Sequence, residues 1–205
     1  MRSTTLVKKQ MLALLSSIMY VRRLFDEQDY VKKRFDRVPL YILKANSKDP
    51  DAKKVASQIL GAVDALEKRY LRKLKMIIYL DPDQPNVAHE IYTMKVSYHE
   101  GLPALDVDGL EQLKTSASAL IKGTLQLTEG LDPLPPTAYI GFKLDYVDED
   151  TPEDYEAPGF QKDSETLVVP TGSRRLEIGK MTTSYHSVGL KVQFQMLKRH
   201  RQTNW

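Results

Sequence analysis

The chain has 205 residues, 41% hydrophobic and 28% charged, with 30 basic and 27 acidic side chains giving a net charge of +3. That is enough for one domain with a real core, and the near balance excludes nucleic-acid binding through bulk charge while leaving local patches open. With no cysteine, a disulfide scaffold, Cys-ligated zinc and thiol catalysis are excluded; no apolar run approaches a membrane span, and MRSTTLVKKQ makes a poor signal peptide.

From Leu6 to Phe25, Val7, Met11, Leu14, Leu15, Ile18, Val21 and Phe25 recur at helical spacing and predict a core-facing helix. The polar DEQDYVKKRFDR, anchored by Tyr30, Val31 and Phe35, reads as a short helix or a loop. Alternating Val38, Leu40 and Ile42 predict a strand. A second long helix starts where Asp49 can cap, Pro50 takes the first turn and Asp51 meets the positive end of the dipole. Its stripe of Ala52, Val55, Ala56, Ile59, Val63, Leu66 and Tyr70 carries it into the basic run 68–75, read as a solvated helix end. Met76 to Leu80 reads as a buried strand. After the DPDQPN turn comes EIYTMKVSY, with Tyr92, Met94, Val96 and Tyr98 on one face, so the two strands form an antiparallel hairpin. A third helix opens at Asp108 with Glu111 three residues on. It continues through Leu110, Leu113, Ala117, Leu120, Thr124, Leu127 and Leu131, with Gly130 as its C-terminal cap and Pro133, Pro135 and Pro136 beyond.

The stretch Thr137–Phe194 is the unusual one. Ile140, Phe142, Leu144 and Tyr146 alternate with Gly141, Lys143 and Asp145, predicting a half-buried strand. Val188, Leu190, Val192 and Phe194 predict another, and Gly179 to Thr183 is read as a break between two short strands. The segment between, with Pro152, Pro158 and Pro170, far exceeds a usual connection of about four to six residues. Its large side chains Tyr155, Phe160, Leu167, Val168 and Val169 suit a functional strap rather than slack chain. The expected class is α+β, a mainly antiparallel sheet with helices against one face.

No catalytic constellation emerges, and no cofactor or metal is expected. His89, His99, His186 and His200 have no metal-ligand spacing and read as surface residues; Gly179-Lys180 lacks phosphate-loop spacing. Asp148, Glu149, Asp150, Glu153, Asp154 and Glu156 lack the EF-hand pattern and read as a solvated loop. KRHR at 198–201 is a weak basic cluster.

These residues resemble a HORMA domain of the meiotic chromosome-axis branch (yeast Hop-one, plant asynaptic-one, mammalian HORMAD). The matching pieces are SSIMYVRRLF, DALEKRYL, EIYTMKVSY, LDPLPPTAYIGFKLDYVDEDTPEDYEAPGF and LEIGKMTTSYHSVGLKV. Departures are a shorter loop between Tyr98 and Asp106, no tryptophan in the second helix, and an end at Trp205 where relatives continue into a tail with a self-recognition motif.

The resemblance implies a single HORMA domain over residues 1–205, with a core at 1–150, a safety belt and final hairpin at 151–197, and a basic tail at 198–205. It implies a non-enzymatic scaffold whose belt wraps a closure-motif peptide, added as a strand, against the sheet and the third helix. The expected peptide-binding residues are Tyr139, Gly141, Lys143, Asp145, Tyr146 and Leu127, with Gly141 offering an amide; the belt anchors are Tyr155, Pro158, Phe160, Val168 and Val169. Implied partners are closure-motif peptides of axis proteins, its own tail among them, an AAA+ ATPase remodeller, and chromatin indirectly, with no membrane. The implied place is the nucleus, on meiotic chromosomes. Two other readings stand beside this: a HORMA adaptor of spindle checkpoint, translesion synthesis or autophagy, and a nucleic-acid module using residues 68–75 and 198–201.

Overall fold

The computed structural model describes residues 2–100 and 107–196. The first apolar stripe forms α1 (Arg2–Val21), with Val7, Met11, Leu14, Leu15, Ile18 and Met19 fully buried. The polar stretch that follows is neither a plain helix nor a loop. One 3-10 turn at Glu27–Asp29 leads into β1 (Tyr30–Phe35), which pairs antiparallel with β2 (Val38–Leu43). Residues 31–34 of β1 are all exposed, so its side chains carry no alternation that could betray a strand.

Helix α2 (Pro50–Glu67) begins as expected, the Asp49 carboxylate accepting from the amides of Asp51 at 2.8 Å and Ala52 at 2.9 Å. It does not run on into the basic segment. Arg69 adopts φ 65°, the Tyr70 amide returns to the Ala65 carbonyl at 2.9 Å, and β3 (Leu71–Tyr79) starts at once. Leu74, Met76 and Ile78 then alternate into the core, which puts Lys73 and Lys75 on a strand.

The remaining elements are β4 (Glu90–Tyr98), α3 (Val107–Glu129), β5 (Tyr139–Tyr146), β6 (Arg174–Thr182) and β7 (His186–Phe194). Gly130 closes α3 by donating to the carbonyls of Leu127 and Gln126. The expected cap at Asp108, the Leu110 side chain, the loop before α3 and the basic tail with His200 lie outside the described residues. Gly179 does not divide two strands: β6 continues to Thr182 with a register shift between Glu177 and Gly179, and Thr183 turns the chain by donating its amide to the His186 carbonyl at 2.7 Å.

The main sheet has the order β5-β3-β4-β7-β6, antiparallel throughout. One face, including Leu74, Met76, Tyr92, Met94, Phe142, Val188 and Leu190, packs under the helices. Helix α1 is central, α2 lies beside β3 and β5, and α3 lies against β6 and α1. This is the α+β arrangement expected. Among the described residues no helix is long and apolar enough to cross a membrane. His89 and His186 are buried rather than on the surface, and burial, with Arg22 or Arg69 nearby, lowers their pKa.

One buried ion pair ties the end of α1 to the start of β4 and to the turn after α3. Arg22, at the end of α1, donates its Nε to Glu90 Oε2 at 3.1 Å and a second nitrogen to the Asp132 carbonyl at 2.8 Å; the Tyr92 hydroxyl also donates to Glu90. Both charged side chains are under 5% exposed, and burial raises the Glu90 pKa against the pull of Arg22 and Tyr92. Arg22→Ala leaves that carboxylate buried without its counter-charge and is expected to cost about 3–5 kcal/mol in urea unfolding. An unchanged midpoint would show the pair to be dispensable.

Candidate functional site

Strand β5 is an edge: among the described residues, nothing pairs with its outer side. Which amides that edge offers follows from the alternation of backbone groups along a strand. The amides of Gln195 and His99 reach the carbonyls of His89 and Tyr185, so odd-numbered residues of β4 face β7 and even-numbered ones face β3. Carried across β3 by the register, this turns Tyr139, Gly141, Lys143 and Asp145 toward β3. The Val147 amide, which donates to the Tyr70 carbonyl at 2.8 Å, has the same sense. The outward amides therefore belong to Ile140, Phe142, Leu144 and Tyr146. This corrects the expectation for Gly141, whose amide serves the sheet.

The side chains divide the other way. Ile140, Phe142, Leu144 and Tyr146 pack toward the core under the helices. Tyr139 stacks on Tyr79 with centroids 5.5 Å apart, and Asp145 sits between Lys73 at 3.2 Å and Lys75 at 3.1 Å. Burial pushes the Asp145 pKa up, but the hydrogen bonds from Lys75 and Lys73 outweigh it and leave the carboxyl below its usual range. Leu127 is displaced from this site. It lies on α3, which packs against α1 and β6, whereas the helix next to β5 is α2. The basic run 68–75 is likewise dispersed: Lys68 pairs with Asp64, Arg72 with Asp148, and Lys73 and Lys75 with Asp145.

The strap leaves β5 and is fastened at both ends of that strand. At the near end Tyr155 packs edge-on against Tyr70 and Tyr146, and its hydroxyl donates to Asp64 Oδ2 at 2.8 Å. Burial and then Asp64 raise the Tyr155 pKa, keeping it a donor. The Tyr146 hydroxyl accepts from the Ala157 amide, and Phe160 packs against the core. Pro158 is exposed, yet its carbonyl lies where a side chain on Gly61 of α2 would be, 1.9 Å from a built Cβ. Midway, Lys143 pairs with Asp163 and donates to the Glu165 carbonyl at 3.0 Å. At the far end the Val168 amide donates to Asn86 and its carbonyl accepts from Ala88 at 3.0 Å, while Leu167 packs on Ile77, Ala88 and Ile91. The side chains of Val168 and Val169 stay 51% and 41% exposed, so the fastening there is by the Val168 backbone and Leu167.

The family model described as HORMA domain matches residues 3–186. The chain belongs to the HORMA family. HORMA domain-containing protein 1 of Danio rerio is 34% identical over 202 residues, covering 93% of this chain and 56% of that protein. HORMA domain-containing protein 2 of Bos taurus is 33% identical, with 93% and 66% covered. This HORMA chain thus spans between about half and two thirds of the length of these curated relatives. Among solved structures, C. elegans HTP-2 bound to a HIM-3 closure motif superposes with a TM-score of 0.83 at 20% identity, covering 96% of this chain and 91% of that one. A chain of the mitotic checkpoint complex reaches 0.74 at 15% identity, with 96% and 100% covered. At those identities the likeness is one of fold.

Gly61, Asp64, Asn86 and Ala88 were not singled out in the sequence. Gly61 alone carried a signal, since glycine inside a helix costs about 1 kcal/mol relative to alanine and so marks a close approach. Gly61→Ala should favour the helix yet drive Pro158 off it. We expect faster hydrogen exchange and proteolysis in residues 152–166 with little change in the melting of the helical core. Protection of that segment as in the unmodified chain would mean that the contact holds nothing.

Proposed function

We propose that this HORMA domain captures an extended peptide on the outer edge of β5, under the strap, as the peptide-binding module of a meiotic chromosome-axis protein. The observation that carries this is an edge with four outward backbone positions inside a strap fastened at both ends of the same strand. A peptide added there gains backbone hydrogen bonds from the edge and side-chain selection from what lies beside it. The names of the relatives support the setting: HORMA domain-containing proteins 1 and 2, and HTP-2 bound to a closure motif of HIM-3. The work is that of a scaffold in the nucleus rather than an enzyme. Its partners are closure-motif peptides of axis proteins, with chromatin reached through them. Opening a strap fastened at two ends is the role the family resemblance gives to an AAA+ ATPase.

The edge reading is tested by an amide-to-ester replacement at Leu144, made by protein semisynthesis, which deletes one outward N–H and keeps the side chain. Affinity for a peptide selected on the domain from a display library should fall about five- to tenfold, a hydrogen bond being worth about 1 kcal/mol, with thermal stability nearly unchanged. Gly141→Pro should instead lower stability, because its amide faces β3. Undiminished affinity in the ester would place the peptide elsewhere.

A further inference from the structure

The face of the main sheet turned away from the helices meets the strap at its β5 border and, through Leu167, at Ile77 and Ile91; beyond those contacts its composition is uneven. In register, one row across the strands reads Lys143, Lys75, Thr93, Lys191, Glu177. The next reads Asp145, Lys73, Lys95, Gly189, Lys180. Directly opposed residues of an antiparallel sheet share a face, so these two rows set six lysines against two carboxylates. With Asp163 of the strap set against Lys143, an excess of three positive charges remains on these two rows, equal to the net charge of +3 of the whole chain.

The charges are not all spent internally. Lys73 and Lys75 share one aspartate, Lys143 is engaged by Asp163 of the strap, and Lys191 pairs with Glu177. Lys95 and Lys180 are exposed and, among the described residues, form no ion pair. Between them lies Gly189, which has no side chain, so the two ammonium groups flank a shallow trough. With strands about 4.8 Å apart and same-face residues about 7 Å apart along each, the lysines form a lattice rather than a pocket. Such an array matches an extended, evenly charged polyanion.

We propose that this face binds the phosphate backbone of duplex nucleic acid without reading its sequence. Lysine is a point charge suited to phosphate. The aromatic pair at its β5 end, Tyr79 and Tyr139, stacks on itself and does not stand open to unstacked bases. The apolar residues Ile77 and Ile91 are covered by Leu167 of the strap and so are not open to a lipid surface. The duplex would lie over β4, β7 and β6, leaving the β5 edge to the peptide. The proposal stands independently of peptide capture.

The test is fluorescence anisotropy of a labelled random-sequence duplex titrated with the 205-residue chain between about 50 and 200 mM salt. Contacts to about four or five phosphates give a log–log salt slope of about −4. The double variant Lys95→Gln, Lys180→Gln should bind at least about tenfold more weakly, with a slope about two smaller in magnitude, and keep its melting temperature and peptide affinity. The matched variant Lys33→Gln, Arg34→Gln, on the separate β1–β2 hairpin, should bind as the unmodified chain does. The proposal is overturned by a slope near zero, by unchanged binding in the Lys95, Lys180 variant, or by an equal loss in the hairpin variant. Binding of the chain to phosphatidylserine vesicles but not to duplex would also overturn it.

Discussion

An unpaired strand edge is the constraint on which this molecule depends. Backbone amides and carbonyls need partners, and an open edge is a template for any chain that can lie beside it. Here the open edge is β5, and the register of four antiparallel ladders decides which of its groups are spoken for. Odd-numbered residues complete the sheet, while even-numbered residues direct their backbone outward and their side chains into the core. The edge is thus rigid where it must be and vacant only along one line of hydrogen-bonding groups. The strap answers the same constraint from outside, running along that line without adding a strand to it.

The rest of the fold holds the edge and the strap in place. Arg22 and Glu90 join the end of α1 to the start of β4, and Arg22 reaches the turn before β5 through Asp132. Helix α2 offers Gly61 and Asp64 on the side where the strap passes, one by removing a side chain and the other by receiving the Tyr155 hydroxyl. The turn before β4 gives backbone groups of Asn86 and Ala88 to Val168. Apart from the midpoint at Lys143, these fastenings lie at the two ends of β5. The strap can therefore be freed at one end while the sheet stays intact.

Periodicity made the long helices, the central hairpin and the two flanking strands legible, because one face of each had to be apolar. It also showed that the segment after Tyr146 was too long and too rich in large side chains to be slack. What it missed has physical reasons. Strand β1 exposes residues 31–34 and so shows no alternation. The left-handed turn at Arg69 has no glycine to announce it, and the basic run therefore read as helix. Side-chain alternation in β5 was read correctly, but it is silent on where the amides point. That depends on partners distant in sequence, so Gly141 was given an amide it does not have to spare. Leu127 was placed by resemblance beside a strand that α2, not α3, adjoins. The lysine rows on the outer face are assembled from all five strands of the main sheet and exist only in the folded sheet.

The central claim is that a peptide on β5 is enclosed by the strap, and it is open to one direct measurement. Val87 and Val168 form a backbone bridge, and the chain has no native cysteine. Bridged strands lie about 4.8 Å apart, within the range a disulfide spans. In Val87→Cys, Val168→Cys, the domain is loaded with a fluorescent peptide and oxidised, and dissociation is followed with and without reductant. Enclosure predicts that release nearly stops in the oxidised form and resumes on reduction, and that oxidation before loading prevents binding. Equal release rates in the two redox states would mean that the strap lies beside the peptide and does not encircle it.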